Sequence, residues 1–241
     1  MIYVTRKSVA PAAFPLDSHL MAQAKDKTKE QYLQQIADAG VIAVIRAPSK
    51  EVLIDIAQAL LAGGVPGIEV TMSTPKAIGG IEMLADQLGD KCVVGVGTVL
   101  DAATARDAIS AGAQFVVSPA FDPDIVATTK RYGKISIPGA FTPTEIVRAW
   151  SAGADVVKVF PSTALGPAYF KDVLAPLPQI KLTPTGGVDL KNAGEWIKAG
   201  AVFLGAGSAL VSRDAMAKKD WATITSNARA FVEAVKSARG K

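Results

Sequence analysis

The sequence predicts an α/β fold, a (β/α)8 TIM barrel with an N-terminal capping helix, and three observations support this prediction. An Ala-Gly pair that suits the end of a helix recurs before β-branched runs, as in SAGADVVKVF and KAGAVFLGA. The runs are almost continuously apolar, which is typical of parallel strands buried on both faces. Eight such runs lie within roughly 200 residues, which is close to the size of a compact barrel.

The eight apolar runs are the predicted strands. In chain order they read VIAVIR, GIEVTM, KCVVGVGT, QFVVSPA, GKISIPGA, DVVKVFP, IKLTPTGG and VFLGAGS. The segments between them, such as SKEVLIDIAQALLAGG and TPTEIVRAW, repeat apolar residues at helical spacing. The segment TKEQYLQQIADAG precedes the first strand and is the predicted helix that caps the bottom of the barrel.

An open, doubly wound sheet is the competing arrangement of alternating strands and helices. Such a sheet more often has fewer strands and a glycine-rich first turn. The first turn here, VIAVIRAPSKE, contains no GxGxxG. The barrel is therefore the favoured prediction.

The first part of the chain differs from the rest because it lacks hydrophobic periodicity. We therefore expect residues 1–28 to form a flexible extension and residues 29–241 to form the barrel. The extension has no apolar core followed by a small-residue cleavage site, so a secretory signal is not expected. The only histidine, His19, lies there, where a solvated side chain is the simplest interpretation. This placement disfavours His-based catalysis and most zinc chemistry, and no metal site is predicted.

Composition and charge exclude several other classes of protein. The chain is 49% hydrophobic and 20% charged, and its net charge of +4 is dispersed along the sequence. A dispersed, mildly positive charge fits small anionic substrates better than nucleic acid, and no apolar run is long enough to span a membrane. Cys92 is the only cysteine, so no internal disulfide is possible. These features predict a cytoplasmic location.

Polar and small residues follow the predicted strands, at the end of a barrel where catalytic groups lie. Because side chains alternate along a strand, Lys158 and Glu69 face away from the apolar pairs Val157–Val159 and Ile68–Val70. Both ionisable groups are therefore expected inside the barrel, on the sixth and second strands. A structural salt bridge is one interpretation of this pair. The other is a lysine held neutral by desolvation, which attacks a ketone to form a Schiff base while the carboxyl moves protons.

Further strand ends suggest how an anionic substrate is bound. Thr185-Gly186-Gly187 and Gly205-Ala206-Gly207-Ser208 are glycine-rich turns after the seventh and eighth strands, where barrels often bind phosphate. Arg46 ends the first strand, and its planar guanidinium suits a substrate carboxylate. Thr98 is placed to donate to the same carboxylate, and Pro119 is a further predicted substrate contact at the end of the fourth strand.

With these residues in place, the chain resembles the aldolases for 2-keto-3-deoxy-6-phosphogluconate (KDPG) and 4-hydroxy-2-oxoglutarate (KHG). The resemblance spans residues 32–237, and its strength lies in the order and spacing of the matching pieces. Those pieces are VIAVIR, GGVPGIEVTMSTP, VGVGTVL, AGAQFVVSPAFD, IPGAFTPTEI, VVKVFP, LTPTGGV and GAGSAL.

The resemblance implies a role for each matching position. It assigns Schiff-base formation to Lys158 and general acid/base chemistry to Glu69. It assigns binding of the keto-acid carboxylate to Thr98 and Arg46. It assigns binding of the phosphate to Gly186, Gly187, Gly207 and Ser208. The family is metal-independent and commonly trimeric, so the resemblance implies a homotrimer without a cofactor.

Two departures from the family pattern bear on the substrate. Some members carry an arginine after E-V-T-x, where this chain has Ser73. Many members follow K-x-F-P with a small residue and glutamate, where this chain has Ser162 and Thr163.

The resemblance implies cleavage of KDPG to pyruvate and glyceraldehyde 3-phosphate, and of KHG to pyruvate and glyoxylate. The alternatives are a related 2-keto-3-deoxy acid aldolase such as one for phosphogalactonate, a phosphosugar isomerase or epimerase of the same fold, and a non-catalytic trimeric scaffold.

Overall fold

Strands and helices alternate throughout the computed structural model, which describes residues 27–240. The strands are β1 (Val41–Ile45), β2 (Gly67–Thr71), β3 (Val93–Gly97), β4 (Phe115–Val117), β5 (Ile135–Ile137), β6 (Gly139–Ala140), β7 (Val157–Val159), β8 (Leu182–Pro184) and β9 (Leu204–Ala206). The helices are α1 (Lys29–Ala39), α2 (Leu53–Ala62), α3 (Ala77–Leu88), α4 (Ala102–Ser110), α5 (Pro123–Arg131), α6 (Pro143–Ser151), α7 (Gly166–Leu174), α8 (Ala193–Lys198), α9 (Arg213–Lys218) and α10 (Trp221–Ala238). A 3₁₀ turn spans Ser162–Ala164.

The strands close into a barrel with every pairing parallel. Six strands pair in the order β5-β4-β3-β2-β1-β9, and three pair in the order β6-β7-β8. Strands β5 and β6 are the two halves of one predicted strand, interrupted at Pro138, whose carbonyl accepts a hydrogen bond from the Lys158 amide at 2.9 Å. A parallel bridge between Thr185 and Gly205 joins β8 to β9. The predicted eight-stranded barrel is confirmed, and the open sheet is excluded.

The two faces of the strands pack as the alternation predicts. Ile68, Val70, Val157 and Val159 are fully buried in the layer that the strands share with the outer helices. A separate apolar cluster fills the lower barrel, and it includes Ile36 of α1 beside Phe115 and Phe203 of the strand segments. The predicted capping helix is therefore confirmed as the floor of the barrel.

Helix α1 begins at a capping box and is held to the barrel by an ion pair. Thr28 accepts a hydrogen bond from the Gln31 amide, and the Gln31 side chain accepts one from the Thr28 amide. The ammonium of Lys29 lies 2.7 Å from Asp155, and the other oxygen of Asp155 accepts from the Ser136 amide at 2.9 Å. Asp155 therefore joins the cap to the bottom of two strands.

We expect Asp155→Asn to lower the free energy of unfolding by about 1–2 kcal/mol, because charge-assisted bonds to a mostly buried carboxylate are lost. The side chain of Asp155 is 14% exposed and that of Lys29 is 29% exposed. The matched control is Asp214→Asn in the Lys218–Asp214 pair, whose side chains are 69% and 73% exposed. Exposed pairs contribute little, so its effect should stay below about 0.5 kcal/mol. Urea unfolding measures both, and equal effects would contradict the role of Asp155.

Several predictions concern parts of the chain that lie outside residues 27–240. The flexible extension over residues 1–28 and the solvated His19 fall almost wholly there, so both stay predictions.

Among the described residues, none of the helices is both long and apolar enough to cross a membrane. Within the same residues there is no group of three His, Cys, Asp or Glu side chains arranged to hold a metal ion.

Candidate active site

Lys158 and Glu69 point into the same cavity inside the barrel. Lys158 lies in the middle of β7 and Glu69 in the middle of β2, and their side chains are almost fully buried at 5% and 3% exposure. Both line a narrow internal cavity together with residues such as Thr183 and Phe203. No ion pair within 4.0 Å joins them in the part of the chain that the structure describes. The structural salt bridge considered from the sequence is therefore not formed.

Burial shifts both groups toward their neutral forms. Burial raises the pKa of the Glu69 carboxyl, although the positive charges of Lys158 and Arg46 oppose this effect. Burial also lowers the pKa of the Lys158 ammonium; the charge of Glu69 opposes that effect and the charge of Arg46 adds to it. The site can therefore hold an uncharged amine, which is nucleophilic, beside a carboxyl that can give up a proton.

Phe160 connects the lysine to the open end of the barrel. The Lys158 Nζ atom lies 4.6 Å from the centroid of the Phe160 ring, and the same ring lines a cleft at the carboxyl ends of the strands. The ring face attracts the ammonium form, so the lowered pKa of Lys158 comes from burial and from Arg46 and not from this contact.

The two glycine-rich turns meet in that cleft, whose volume is about 390 Å³. The predicted site residues that line it are Arg46, Thr185, Gly186, Gly187, Gly207 and Ser208. Gly186 and Gly187 have φ of 93° and 72°, a left-handed conformation that favours glycine. The cleft therefore offers backbone amides, two hydroxyls and one guanidinium, which suit phosphate. Asp189 also lines it, but its carboxylate accepts hydrogen bonds from the Lys191 and Asn192 amides.

Arg46 lies at this phosphate-type cleft. A Cβ atom placed on Gly207 would sit 3.5 Å from Nη1 of Arg46, so the guanidinium rests beside the second glycine turn. Thr98, its predicted partner for a carboxylate, is not among the described residues that line the cleft. Because the charge of Arg46 also acts on Lys158 and Glu69, its contact with the substrate carboxylate stays a prediction beside a contact with phosphate.

Comparison with known proteins agrees with this geometry. The family model for KDPG and KHG aldolase matches residues 33–227. The chain belongs to the KDPG and KHG aldolase family. It is therefore an aldolase, a carbon–carbon lyase.

Three relatives illustrate the similarity. A 2-dehydro-3-deoxy-phosphogluconate aldolase from Treponema pallidum is 38% identical over 186 residues, which cover 77% of this chain and 88% of the relative. A 2-dehydro-3-deoxy-6-phosphogalactonate aldolase from Escherichia coli is 32% identical, covering 82% and 95% of the two chains. A solved KDPG aldolase from Legionella pneumophila, with pyruvate captured as a covalent carbinolamine, superimposes with a TM-score of 0.75 at 31% identity, covering 82% and 96%.

In this aldolase, Ser162 and Thr163 support the first glycine turn. The Ser162 hydroxyl donates to the Val159 carbonyl at 2.8 Å and accepts from the Thr185 amide at 3.2 Å. A Cβ atom on Gly187 would lie only 2.8 Å from Oγ1 of Thr163. These two positions, noted in the sequence as departures from the family pattern, therefore fix the position of the turn.

The other departure, Ser73, is placed away from the internal cavity. Ser73 is exposed, and its hydroxyl lies 2.8 Å from that of Thr71, which donates to the Ile45 carbonyl. Thr71 thus joins the ends of β1 and β2 of the aldolase, and Ser73 contacts Thr71.

Thr98 and Pro119 stand at the ends of β3 and β4. Thr98 has φ of 59°, a left-handed conformation that is uncommon for a β-branched residue. The Pro119 carbonyl packs against Gly139, where a side chain would overlap it. Neither residue is among those that line the phosphate-type cleft of the aldolase. Thr98 does follow directly from the strand beside Glu69, so it stays a candidate for the other end of the substrate.

Gly97 is a site residue that sequence reasoning missed. It pairs with Thr71 at the end of β3, and a Cβ atom built there would overlap Oε1 and the Cγ and Cδ atoms of Glu69. Only a residue without a side chain leaves the aldolase room for the Glu69 carboxyl. The alternation of β3 places Gly97 on the inner face, but the identity of its neighbour depends on the register between β2 and β3.

Proposed function

We propose that this aldolase cleaves 2-dehydro-3-deoxy-6-phosphogluconate to pyruvate and glyceraldehyde 3-phosphate through a Schiff base on Lys158. The observation that carries the proposal is a buried lysine, shifted toward its neutral form, that shares a cavity with a buried carboxyl beside a phosphate-type cleft. The same chemistry extends to 4-hydroxy-2-oxoglutarate, which lacks the phosphate and gives pyruvate and glyoxylate.

The reaction begins when Nζ of Lys158 attacks the C2 carbonyl carbon. Glu69 gives a proton to the carbinolamine hydroxyl, which leaves as water and yields a cationic imine. The Glu69 carboxylate, acting through a water, then takes the proton of the C4 hydroxyl. The C3–C4 bond breaks, its electron pair moves toward the imine, and glyceraldehyde 3-phosphate leaves. The remaining enamine is protonated at C3, and hydrolysis releases pyruvate and the free amine.

The two ends of the substrate have separate binding groups in this proposal. The phosphate contacts Gly186, Gly187, Gly207 and Ser208, with Arg46 as its cation. Thr98, Pro119 and Thr185 contact the keto-acid portion. The protonated imine draws electrons from the breaking bond, and this proposal therefore includes no metal or organic cofactor.

Direct comparison of substrates tests the proposal. Steady-state pyruvate release should give a higher kcat/KM for the phosphogluconate-derived acid than for its C4 epimer from phosphogalactonate. A reversed preference would make the enzyme a phosphogalactonate aldolase, a class represented among its relatives. A phosphosugar isomerase or epimerase would gain no mass at a lysine when incubated with pyruvate and borohydride. A non-catalytic scaffold would release no pyruvate from any of these acids.

Gly187→Ala tests the phosphate position. The added methyl group must displace Thr163 and adopt φ of 72°, so the turn shifts. Losing bonds to a charged phosphate should raise KM for the phosphorylated acid by about 10–100-fold. Cleavage of 4-hydroxy-2-oxoglutarate should stay near wild type. The matched control is Gly133→Ala, which has φ of 66° and no atom within 4 Å of the new methyl group. An equal effect on both substrates would contradict the assignment.

The oligomeric state and location of the aldolase are also proposals. The homotrimer rests on resemblance to the family, and sedimentation of the purified protein tests it. The cytoplasmic location rests on the single cysteine and on the metabolic chemistry proposed above.

A further inference from the structure

We propose that a second anion pocket, centred on Arg213, extends the phosphate-type cleft and binds ligands that carry more than one phosphate group. The proposal rests on the proposed function in one respect, because the first phosphate of such a ligand occupies the cleft at the glycine turns. The second pocket has a volume of about 520 Å³ and lies between the end of β1 and the segment that leads into α9. It is lined by Val44, Arg46, Ser208, Val211, Arg213 and Met216.

The pocket collects positive charge that no carboxylate neutralises. Arg46 and Arg213 line it, and none of the described residues that line it is acidic. Arg213 makes no ion pair and no side-chain hydrogen bond within residues 27–240. The neighbouring Asp214 is engaged with Lys218 at 3.0 Å. Neither guanidinium has an ion-pair or side-chain hydrogen-bond partner among the described residues, so both are available for the planar, bidentate recognition of phosphate oxygens.

The two cavities share Val44, Arg46 and Ser208, so one ligand can contact both. Arg46 stands between the glycine turns on one side and Arg213 on the other. Val211 and Met216 are buried side chains that give the second pocket an apolar wall. A ligand with two linked phosphate groups therefore finds a cation for each, with Arg46 between them. Such a ligand occupies the substrate's phosphate position, and it should inhibit cleavage competitively.

Calorimetric titration with two inorganic probes, orthophosphate and tripolyphosphate, tests the pocket without relying on catalysis. We expect tripolyphosphate to bind wild type about tenfold or more tightly than orthophosphate. Arg213→Met keeps an apolar stem and removes the guanidinium. It should weaken the binding of tripolyphosphate by about tenfold and change the Kd of orthophosphate by less than twofold. Arg46→Met should weaken the binding of both anions. The matched control, Lys219→Met, removes an exposed charge just after the same helix at a residue that lines neither pocket and leaves the Asp214–Lys218 pair intact. This control should change the Kd of neither anion by more than twofold.

Three results would overturn the proposal. In the first, Arg213→Met weakens tripolyphosphate binding no more than Lys219→Met does, so the effect is one of general surface charge. In the second, tripolyphosphate binds the wild type no more tightly than orthophosphate does, which would contradict anion binding at Arg213 and leave the phosphate cleft assigned. In the third, neither anion binds to the wild type, which would contradict anion binding in both pockets. Pyruvate release would still report independently on the aldolase reaction.

Discussion

Lys158→Met should abolish turnover and the borohydride-dependent trapping of pyruvate. Methionine nearly matches the length of the lysine stem and keeps the barrel packed, but it has no amine to attack the C2 carbonyl. Loss of a covalent nucleophile commonly removes at least about a thousandfold of the rate. The measurements are kcat for pyruvate release and the mass added at a lysine after reduction with borohydride.

The pH dependence of trapping tests why this lysine reacts. Because burial lowers the pKa of Lys158, a larger fraction of its amine is neutral at a given pH than in an ordinary lysine. Trapping in the wild type should therefore persist at pH values where the lysine side chain of a short peptide is not labelled. Lys181→Met, which removes an exposed lysine, is the control and should retain full activity. A Lys158→Met enzyme that still cleaves substrate at the wild-type rate would refute the Schiff-base assignment.

The sequence predicted the barrel and the central pair because both depend on local regularities. Alternation along a strand requires only that neighbouring side chains point to opposite faces. That rule places Lys158 and Glu69 inside once the apolar residues Val157 and Ile68 are assigned to the outer face. The fully buried apolar residues and the inward cavity of the structure agree with this reasoning.

The direction of a long side chain at a strand end follows no such rule. Arg46 ends β1, and its guanidinium could have reached toward the keto acid or toward the glycine turns. The structure places it beside Gly207 because β9 pairs with β1 and brings the second glycine turn next to it. The prediction of Arg46 as a site residue was thus available from the sequence, whereas its position within the site required the closure of the barrel.

The supporting contacts of Ser162 and Gly97 could not be predicted because they join distant parts of the chain. The Ser162 hydroxyl bonds the Thr185 amide, 23 positions away, across the pair β7–β8. A hydroxyl after a strand gives no local sign of its partner. Gly97 faces Glu69 across the pair β2–β3 for the same reason, and a glycine near a strand end is otherwise read as a turn residue.

Gly97→Ala should reduce the rate of cleavage by about 10²–10⁴-fold, because that is the usual contribution of a positioned general acid/base. The new methyl group would overlap the Glu69 carboxyl, which must then leave the position it shares with Lys158. Two steps should slow together: pyruvate release from substrate, and exchange of the C3 protons of pyruvate in D₂O. Glu69→Gln should show the same pair of defects.

Gly95→Ala is the matched control for this prediction. Gly95 lies two residues earlier on the same face of β3, where a methyl group would overlap the ring of Phe115 instead of a carboxyl. Overpacking there should lower the free energy of unfolding by about 1–3 kcal/mol and leave kcat of the folded enzyme near wild type. If Gly97→Ala behaves like Gly95→Ala, losing stability while keeping kcat, then Gly97 only fills space.

A double-mutant cycle separates the two interpretations of Gly97 further. In a Glu69→Ala background the carboxyl that the methyl group would strike is absent. Adding Gly97→Ala there should cost neither residual activity nor stability, whereas the same change in wild type costs both. A glycine that acts through Glu69 must show this dependence, since the three atoms nearest to the added methyl group all belong to that side chain. Gly97 on β3 would then act in catalysis by leaving the space that the Glu69 carboxyl on β2 occupies.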